Sequence, residues 1–409
     1  LNTRRQLVID NYVAKPLAWL LNFLVRGLGM LLRLDHRLDR PMRRIVVCKF
    51  KGLGSIIQAS PMLAALKHRF PESEITFVTT PGNIAMLKKI SDVDRIITVD
   101  DKSFLKLIPS LFRAMIRLIR LRADVYIDLE IYSNFSTLVT LFSLARNRIG
   151  FYLRSSSFRM GIYTHMMYFN TGMAIAEVYL QIARLFGPLE QPAGLFPLYR
   201  NVADEAGAKA PEEAYLVINP NASDLRLERR WAAENFAELI RRCLQQFPGM
   251  KILLVGSPSE RPYTEQVVAQ IASPRVLNMA GRTSMDELIM LIRRARLMIT
   301  NDTGPMHIAF ACDTPAICLF GPCAPEQYAW LGNATILYKR VFCSPCVHEF
   351  SQPPCGGNNT CMQLITVDEV MSAVAGRLKD AESPHCLTHH PQVFLYGRQQ
   401  EVLGLVIRG

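Results

Sequence analysis

Residues 44–79 read RIVVCKFKGLGSIIQASPMLAALKHRFPESEITFVT, and this stretch decides the fold. Residues 44–50 form a short β-branched run with the composition of a buried strand. A glycine turn follows, and then Ile57, Leu63, Leu66 and Phe70 recur at helical spacing over residues 56–70. Beyond Pro71 the run 74–79 (EITFVT) is strand-like again. Strand, helix and strand at this pitch make a βα unit, and such units build parallel sheets.

Working outward, the alternation continues. A short helix is expected over 83–90, a strand over 95–99, an arginine-bearing helix over 105–120 and a strand over 123–129 (ADVYIDL). A helix over 172–186 closes the first half. The second half repeats the pattern, with strands at 215–218, 251–255, 276–277, 296–300 and 316–320 and helices at 232–247, 261–271 and 284–294. Ser284 with Glu287 three residues on reads as a capping box. A last helix is expected over 366–378. The class is α/β, with a first sheet domain at 43–195, a linker at 196–213 rich in Pro, Gly and Ala, and a second sheet domain at 214–378. Residues 1–42 form an amphipathic helix and charged linker, and 379–409 a tail.

The chain has 409 residues, half of them hydrophobic and 20% charged, enough for two cores and too apolar for a disordered chain. A net charge of +12 favours anionic ligands or surfaces. The basic residues are dispersed, with no recognition helix or aromatic–basic platform, so nucleic acid is not an expected partner. Residues 13–34 (VAKPLAWLLNFLVRGLGMLLRL) are apolar, but Lys15, Arg26 and Arg33 interrupt them and the uncharged run 16–25 is too short to span a bilayer. Leucines at helical spacing beside Trp19 suit a helix lying in the membrane interface, or one packed on the body or on a partner subunit.

Ligands of parallel sheets bind beyond the carboxyl ends of the strands. In the first half that rule selects three places: Lys51–Ser55, with Gly52 and Gly54 allowing close backbone approach, the region near Thr80, and Asp128–Asn134, where Asp128 and Glu130 are carboxylates suited to acid–base work, to capping the next helix or to pairing with an arginine such as Arg148. Arg154, Arg159 and His165 mark a stretch able to line an acceptor pocket. In the second half, the loops at 219–223, 256–260 and 301–307 each precede a helix start, where free N–H groups attract anions. Asn219, Ser223, Gly256, Glu260, Asp302, Thr303, Gly304 and His307 lie there, and Arg226, Arg229 and Arg230 supply charge for a phosphorylated nucleotide. Solvated arginines and a core histidine are the alternatives. Of ten cysteines, Cys343, Cys346, Cys355 and Cys361 form one cluster; four reduced thiols, a loop disulfide, and a tetrahedral zinc or iron site, structural because all positions would be filled and with His348 as an alternate ligand, all stay open.

The series Asn219-Pro220, Arg229-Arg-Trp231, Gly256, Glu260, Asn301-Asp-Thr-Gly-Pro-Met-His307, Gly321-Pro322 resembles the ADP-heptose:lipopolysaccharide heptosyltransferase family, glycosyltransferase family 9. The resemblance runs from about residue 44 to about residue 374. It implies a GT-B fold, two Rossmann-like parallel-sheet domains facing across a cleft. It also implies inverting, metal-independent transfer of heptose from ADP-heptose to a lipopolysaccharide-type or other cell-surface glycan or lipid-linked acceptor, at the cytoplasmic face of a bacterial inner membrane, by a peripheral protein that can form homo-oligomers. By that resemblance Arg229 matches a phosphate-contacting lysine, Glu260 a carboxylate near the ribose, and Asp302 an aspartate near the donor sugar. Lys51, Gly54, Arg154 and His165 fall on the acceptor side. Ser55 departs from the pattern: the family's core enzymes carry there the aspartate proposed as general base. A serine cannot take a proton near neutral pH without a base of its own, so the role moves to Glu130, ahead of Asp128. Another nucleotide sugar, with a polysaccharide or protein acceptor, and an inactive sugar-binding homologue are the alternatives.

Overall fold

The computed structural model describes residues 8–32, 35–153, 159–189, 195–203, 209–222, 226–329, 333–348, 350, 353–380 and 393–396. The chain forms two compact units, Leu1–Phe196 and Pro197–Gly409.

The first unit holds a six-stranded parallel sheet. Its strands are β1 (Arg44–Cys48), β2 (Glu74–Thr79), β3 (Arg95–Thr98), β4 (Val125–Asp128), β5 (Asn147–Tyr152) and β6 (His165–Tyr168), in the order β3-β2-β1-β4-β5-β6. Ile45 pairs with Ile75 on one side and Val125 on the other, so β1 is central and buried on both faces. Besides a single turn at Ile84–Leu87, the α-helices are α1 (Lys15–Leu32), α2 (Leu53–Gln58), α3 (Ser60–Arg69), α4 (Phe104–Leu121), α5 (Asn134–Phe142) and α6 (Ile175–Arg184). Ala114 and Leu118 of α4 and Val139 of α5 share a core with Val46, Cys48, Val78 and Tyr126, which puts both helices on one face of the sheet. The helices α2 and α3 pack with α6.

Two expectations change. The single helix expected over 56–70 is two, α2 and α3, because Pro61 lacks the N–H needed to continue the ladder and becomes an early residue of a fresh helix. Strands β5 and β6 were not expected at all. β5 (NRIGFY) carries polar residues whose partners come from elsewhere: Arg148 donates to the carbonyls of Ala145 and Ile162. Gly150 also has its purpose only in three dimensions, since a Cβ there would sit 2.5 Å from the Tyr163 ring.

The amino-terminal helix docks on this unit by small residues. Ala14, Ala18 and Asn22, spaced four apart, are its buried stripe, while Leu17, Trp19, Leu20, Phe23, Leu24, Leu28 and Leu31 face outward. The Asp10 carboxylate accepts from the N–H groups of Asn134 and Phe135, capping α5. Asn22 accepts from Gly161 N–H. No described helix is long and apolar enough to cross a membrane.

The second unit holds a seven-stranded parallel sheet in the order β13-β12-β11-β10-β7-β8-β9. Its strands are β7 (Tyr215–Asn219), β8 (Lys251–Leu254), β9 (Val276–Asn278), β10 (Leu297–Asn301), β11 (Ala316–Phe320), β12 (Ala334–Tyr338) and β13 (Val393–Tyr396). Its main helices are α7 (Ala233–Gln246), α8 (Arg261–Val268), α9 (Met285–Arg294), α10 (Gly304–Ala311) and α11 (Val367–Asp380). α9 opens on the Ser284–Glu287 capping box that the sequence predicts. Phe236 and Ile240 of α7, Val267 of α8 and Val370 and Val374 of α11 join Leu216, Ile252, Ile299 and Leu319 in one core. Strand β12 was not expected, nor was β13, which draws part of the tail into the sheet beside β12.

Candidate active site

In the second unit, the carboxyl ends of β7 and β10 are tied together by amides. Asn219 donates to the hydroxyls of Thr300 and Thr303. Asn301 donates to the carbonyls of Pro220 and Asn221 and accepts from Trp231 N–H. Trp231 is fully buried, and its indole N–H donates to Ile365 O. The arginine stretch 226–230 is thus anchored over the strand ends. Asn221 donates to Val255 O, and a Cβ on Gly256 would lie 2.5 Å from its amide nitrogen; glycine is what lets the β7 and β8 loops close.

This scaffold gathers Arg229, Asp302 and His307. An Arg229 guanidinium nitrogen lies 3.6 Å from Asp302 Oδ2. Burial opposes the arginine's charge, but Cys323 and Asp302 beside it outweigh that and raise its pKa. His307, on the first turn of α10, is buried and its pKa falls to about 4, chiefly by desolvation, with Asp302 pulling up and Arg229 pushing down. At neutral pH it is an uncharged imidazole. Arg229 Nε, Asp302 Oδ2 and His307 Nδ1 are all buried and, among the described residues, lack hydrogen-bond partners. Three orphaned polar atoms at one helix start, Thr303 and Gly304 heading the helix, are a costly arrangement unless a polar ligand completes them.

Other expected donor residues have different neighbours. Arg226 donates to the carbonyls of Val347 and Phe350 in the cysteine-bearing segment. Arg230 stacks on the Tyr263 ring. Glu260 accepts from Ser257 N–H in a capping box that opens α8. Ser223 lies outside the described residues. Asn301 stands in the series that the sequence singles out, whereas sequence reasoning missed Asn221 and Cys323; the latter is fully buried, and burial first and then Asp302 beside it push its thiol pKa up. The Gly321-Pro-Cys323 turn after β11 was the available signal.

In the first unit, the expected residues meet at the ends of β1 and β4. Glu130 Oε2 lies 3.0 Å from Lys49 Nζ, and Oε1 accepts from the N–H groups of Phe50 and Lys51. Burial works against the charge on Lys49, yet Glu130 more than offsets it and the lysine pKa rises. From the other flank, Thr80 and Asn83 donate to Phe50 O. Glu130 therefore grips the turn that carries Gly52, Gly54 and Ser55, while 11% of its side chain stays open to solvent. Asp128 is buried; it accepts from Tyr163 Oη at 2.6 Å and from Thr140, and desolvation raises its pKa. The Ser55 hydroxyl lies beside buried Tyr179 of α6, which sequence reasoning also missed. His165 on β6 is half-buried and bonds to the Thr164 hydroxyl. Arg159 is buried and donates to the carbonyls of Ile131 and Ser133, a structural position. Arg154 lies outside the described residues.

Cys346 and Cys361 are buried, Cys343 and Cys355 partly so. Burial first, and then the other three cysteines, push the Cys361 thiol up to about 12. The four thus lie close enough to act on one another. Among the described residues, however, no three His, Cys, Asp or Glu side chains are grouped so as to hold a metal ion. His348 bonds to Tyr328 instead.

A family model for glycosyltransferase family 9 (heptosyltransferase) matches residues 112–355, across both units. The chain belongs to glycosyltransferase family 9. It is similar to lipopolysaccharide heptosyltransferase 2 of Salmonella typhimurium, 31% identical over 24% of this chain and 28% of that protein. This match spans under a third of the relative's length. With lipopolysaccharide heptosyltransferase 3 of Escherichia coli K12 it is 25% identical over 81% of this chain and 97% of the other. Among solved structures, E. coli ADP-heptose lipopolysaccharide heptosyltransferase II superposes with a TM-score of 0.66 at 20% identity, over 84% of this chain and all of that one. The two parallel α/β sheets are those of the GT-B fold shared by this family 9 protein and its structural neighbours.

Proposed function

We propose that this family 9 protein transfers heptose from ADP-heptose, with inversion, to a lipopolysaccharide-type acceptor. What carries the reading is the trio Arg229, Asp302 and His307, whose buried orphan atoms converge at the start of α10. Arg229 and the free N–H groups of that helix start offset the charge that develops on the departing diphosphate. Neutral His307 offers a hydrogen bond without a second charge, and Asp302 faces the sugar. Family membership and the names of the relatives support the donor and acceptor classes.

Glu130 is the proposed base: of the two carboxylates at the β4 end, it alone reaches solvent. Asp128 accepts from Tyr163 Oη and from Glu130 N–H, and so helps position Glu130. Lys51, Gly54, Ser55 and His165 belong to the acceptor side, and Asn219, Gly256 and Glu260 shape the donor loops. The outward apolar face of α1 supports peripheral attachment to a membrane, where a lipid-linked acceptor resides. For the cysteines, a structural zinc or iron requires the 343–361 segment to draw its thiols together; metal analysis of freshly purified, reduced protein is expected to find about one equivalent, and substoichiometric zinc and iron would end that proposal.

The direct test is donor binding. Arg229→Ala removes charge-assisted hydrogen bonds and is expected to weaken ADP-heptose binding roughly ten- to a hundred-fold. Unchanged affinity would remove Arg229 from the site.

A further inference from the structure

We propose that α4 is a membrane-contact helix, docking the first unit on an anionic phospholipid surface. Its eighteen residues, FLKLIPSLFRAMIRLIRL, divide into three stripes at about 100° per residue. Ser110, Ala114 and Leu118 are buried against the sheet. Leu105, Ile108, Phe112 and Ile119 lie together on a second arc and are exposed, Leu105 by 87% and Phe112 by 66%. Lys106, Arg113, Arg117 and Arg120 occupy a third arc, roughly 60° wide, beside the apolar one, and all four are exposed. The helix contains no Asp or Glu.

An amphipathic helix in a globular protein turns its one apolar stripe inward. This helix has a second apolar stripe turned outward and a cationic edge along it. That is the composition of a helix lying at the headgroup boundary, apolar side chains among the acyl chains and arginines at the phosphates. The placement of α1 agrees. Both α1 and α4 pack beside α5, so they belong to one helical layer, and α1 also turns large side chains outward, Trp19 by 62% and Phe23 by 74%. A second copy of the chain is the poorer occupant: a two-fold contact through α4 would set the row Arg113, Arg117 and Arg120 near its own image with no acidic residue on either helix. The inference extends the membrane reading of α1 without depending on it, because the substitutions below leave residues 13–34 intact.

The test uses the full chain and sedimentation with large vesicles of phosphatidylethanolamine and phosphatidylglycerol, against vesicles of neutral phosphatidylcholine. Wild-type protein is expected to prefer the anionic vesicles. The triple substitution Leu105→Glu, Ile108→Glu, Phe112→Glu is expected to lower partitioning at least ten-fold, and Arg113→Glu, Arg117→Glu, Arg120→Glu to abolish the anionic preference. Both variants should keep the wild-type melting temperature and ADP affinity, since the altered side chains are exposed and the donor residues lie on the other unit. A direct reporter is Phe112→Trp, whose emission, taken as the difference from wild type, should shift to the blue on adding anionic vesicles. Wild-type partitioning by the apolar variant, or an unshifted emission, would overturn the proposal. So would loss of a self-associated species in that variant with lipid binding intact, which would make the face an interface between copies.

Discussion

His307 shows how one side chain's surroundings decide its charge. Its native pKa near 4 lies below the ordinary 6.5, so as pH falls the unfolded chain takes up the proton first. The stability tied to the neutral ring is complete above pH 6.5 and is lost progressively as pH falls toward 4, on the order of 3 kcal/mol in all. Urea melts of wild type and His307→Gln should therefore diverge across that window, the variant lacking this slope; superimposable pH profiles would contradict the burial argument. Glu130 poses the opposite problem, a carboxylate with several partners and a proposed chemical task. Glu130→Gln keeps the shape but loses the charge facing Lys49. Turnover is expected to fall at least a hundred-fold while ADP affinity on the other unit stays within two-fold. An active Gln variant would leave Glu130 as the clamp of the 50–55 turn alone.

At the scale of an element, α1 is the informative case. The leucines of residues 13–34 have helical spacing, and packing on the body competed with lying in a membrane interface as a reading of them. The docked stripe is instead Ala14, Ala18 and Asn22, because small residues let the helix approach closely and leave the bulky side chains outside. Two of its contacts can be tested singly. Asp10 caps α5, so Asp10→Ala should cost about 1 kcal/mol. Gly161 lies under the helix, and a Cβ there would fall 2.2 Å from Arg26 Cγ. Gly161→Leu is expected to release α1, seen as faster proteolysis before residue 35 with the rest of the first unit protected; wild-type cleavage kinetics would refute that docking. The break between α2 and α3 teaches a related lesson: the apolar pattern runs through Ala59, but Pro61 ends one ladder and starts another.

For the whole molecule, two units with separate cores imply separable responses to ligand. A nucleotide that binds only the second unit should raise only that unit's unfolding transition, by about 2.7 kcal/mol at a hundred times its Kd. Calorimetry with ADP is expected to shift one of two transitions; a shift of neither would remove the nucleotide site from the second unit. By itself the sequence determined the alternation of strands and helices, the parallel sheets that follow from it, and the Gly- and Asn-rich strand ends at which an anion site is proposed. These are local facts of period, turn chemistry and composition. Only the tertiary structure decided that Arg226 serves the cysteine-bearing segment while Arg229 meets Asp302 and His307, that Glu130 is held by Lys49 and two backbone amides, that β5, β6, β12 and β13 join the sheets, and that α4 keeps an apolar stripe in the open. Each depends on partners far along the chain. A side chain's role is set by which distant groups share its burial, and neighbouring letters carry no record of them.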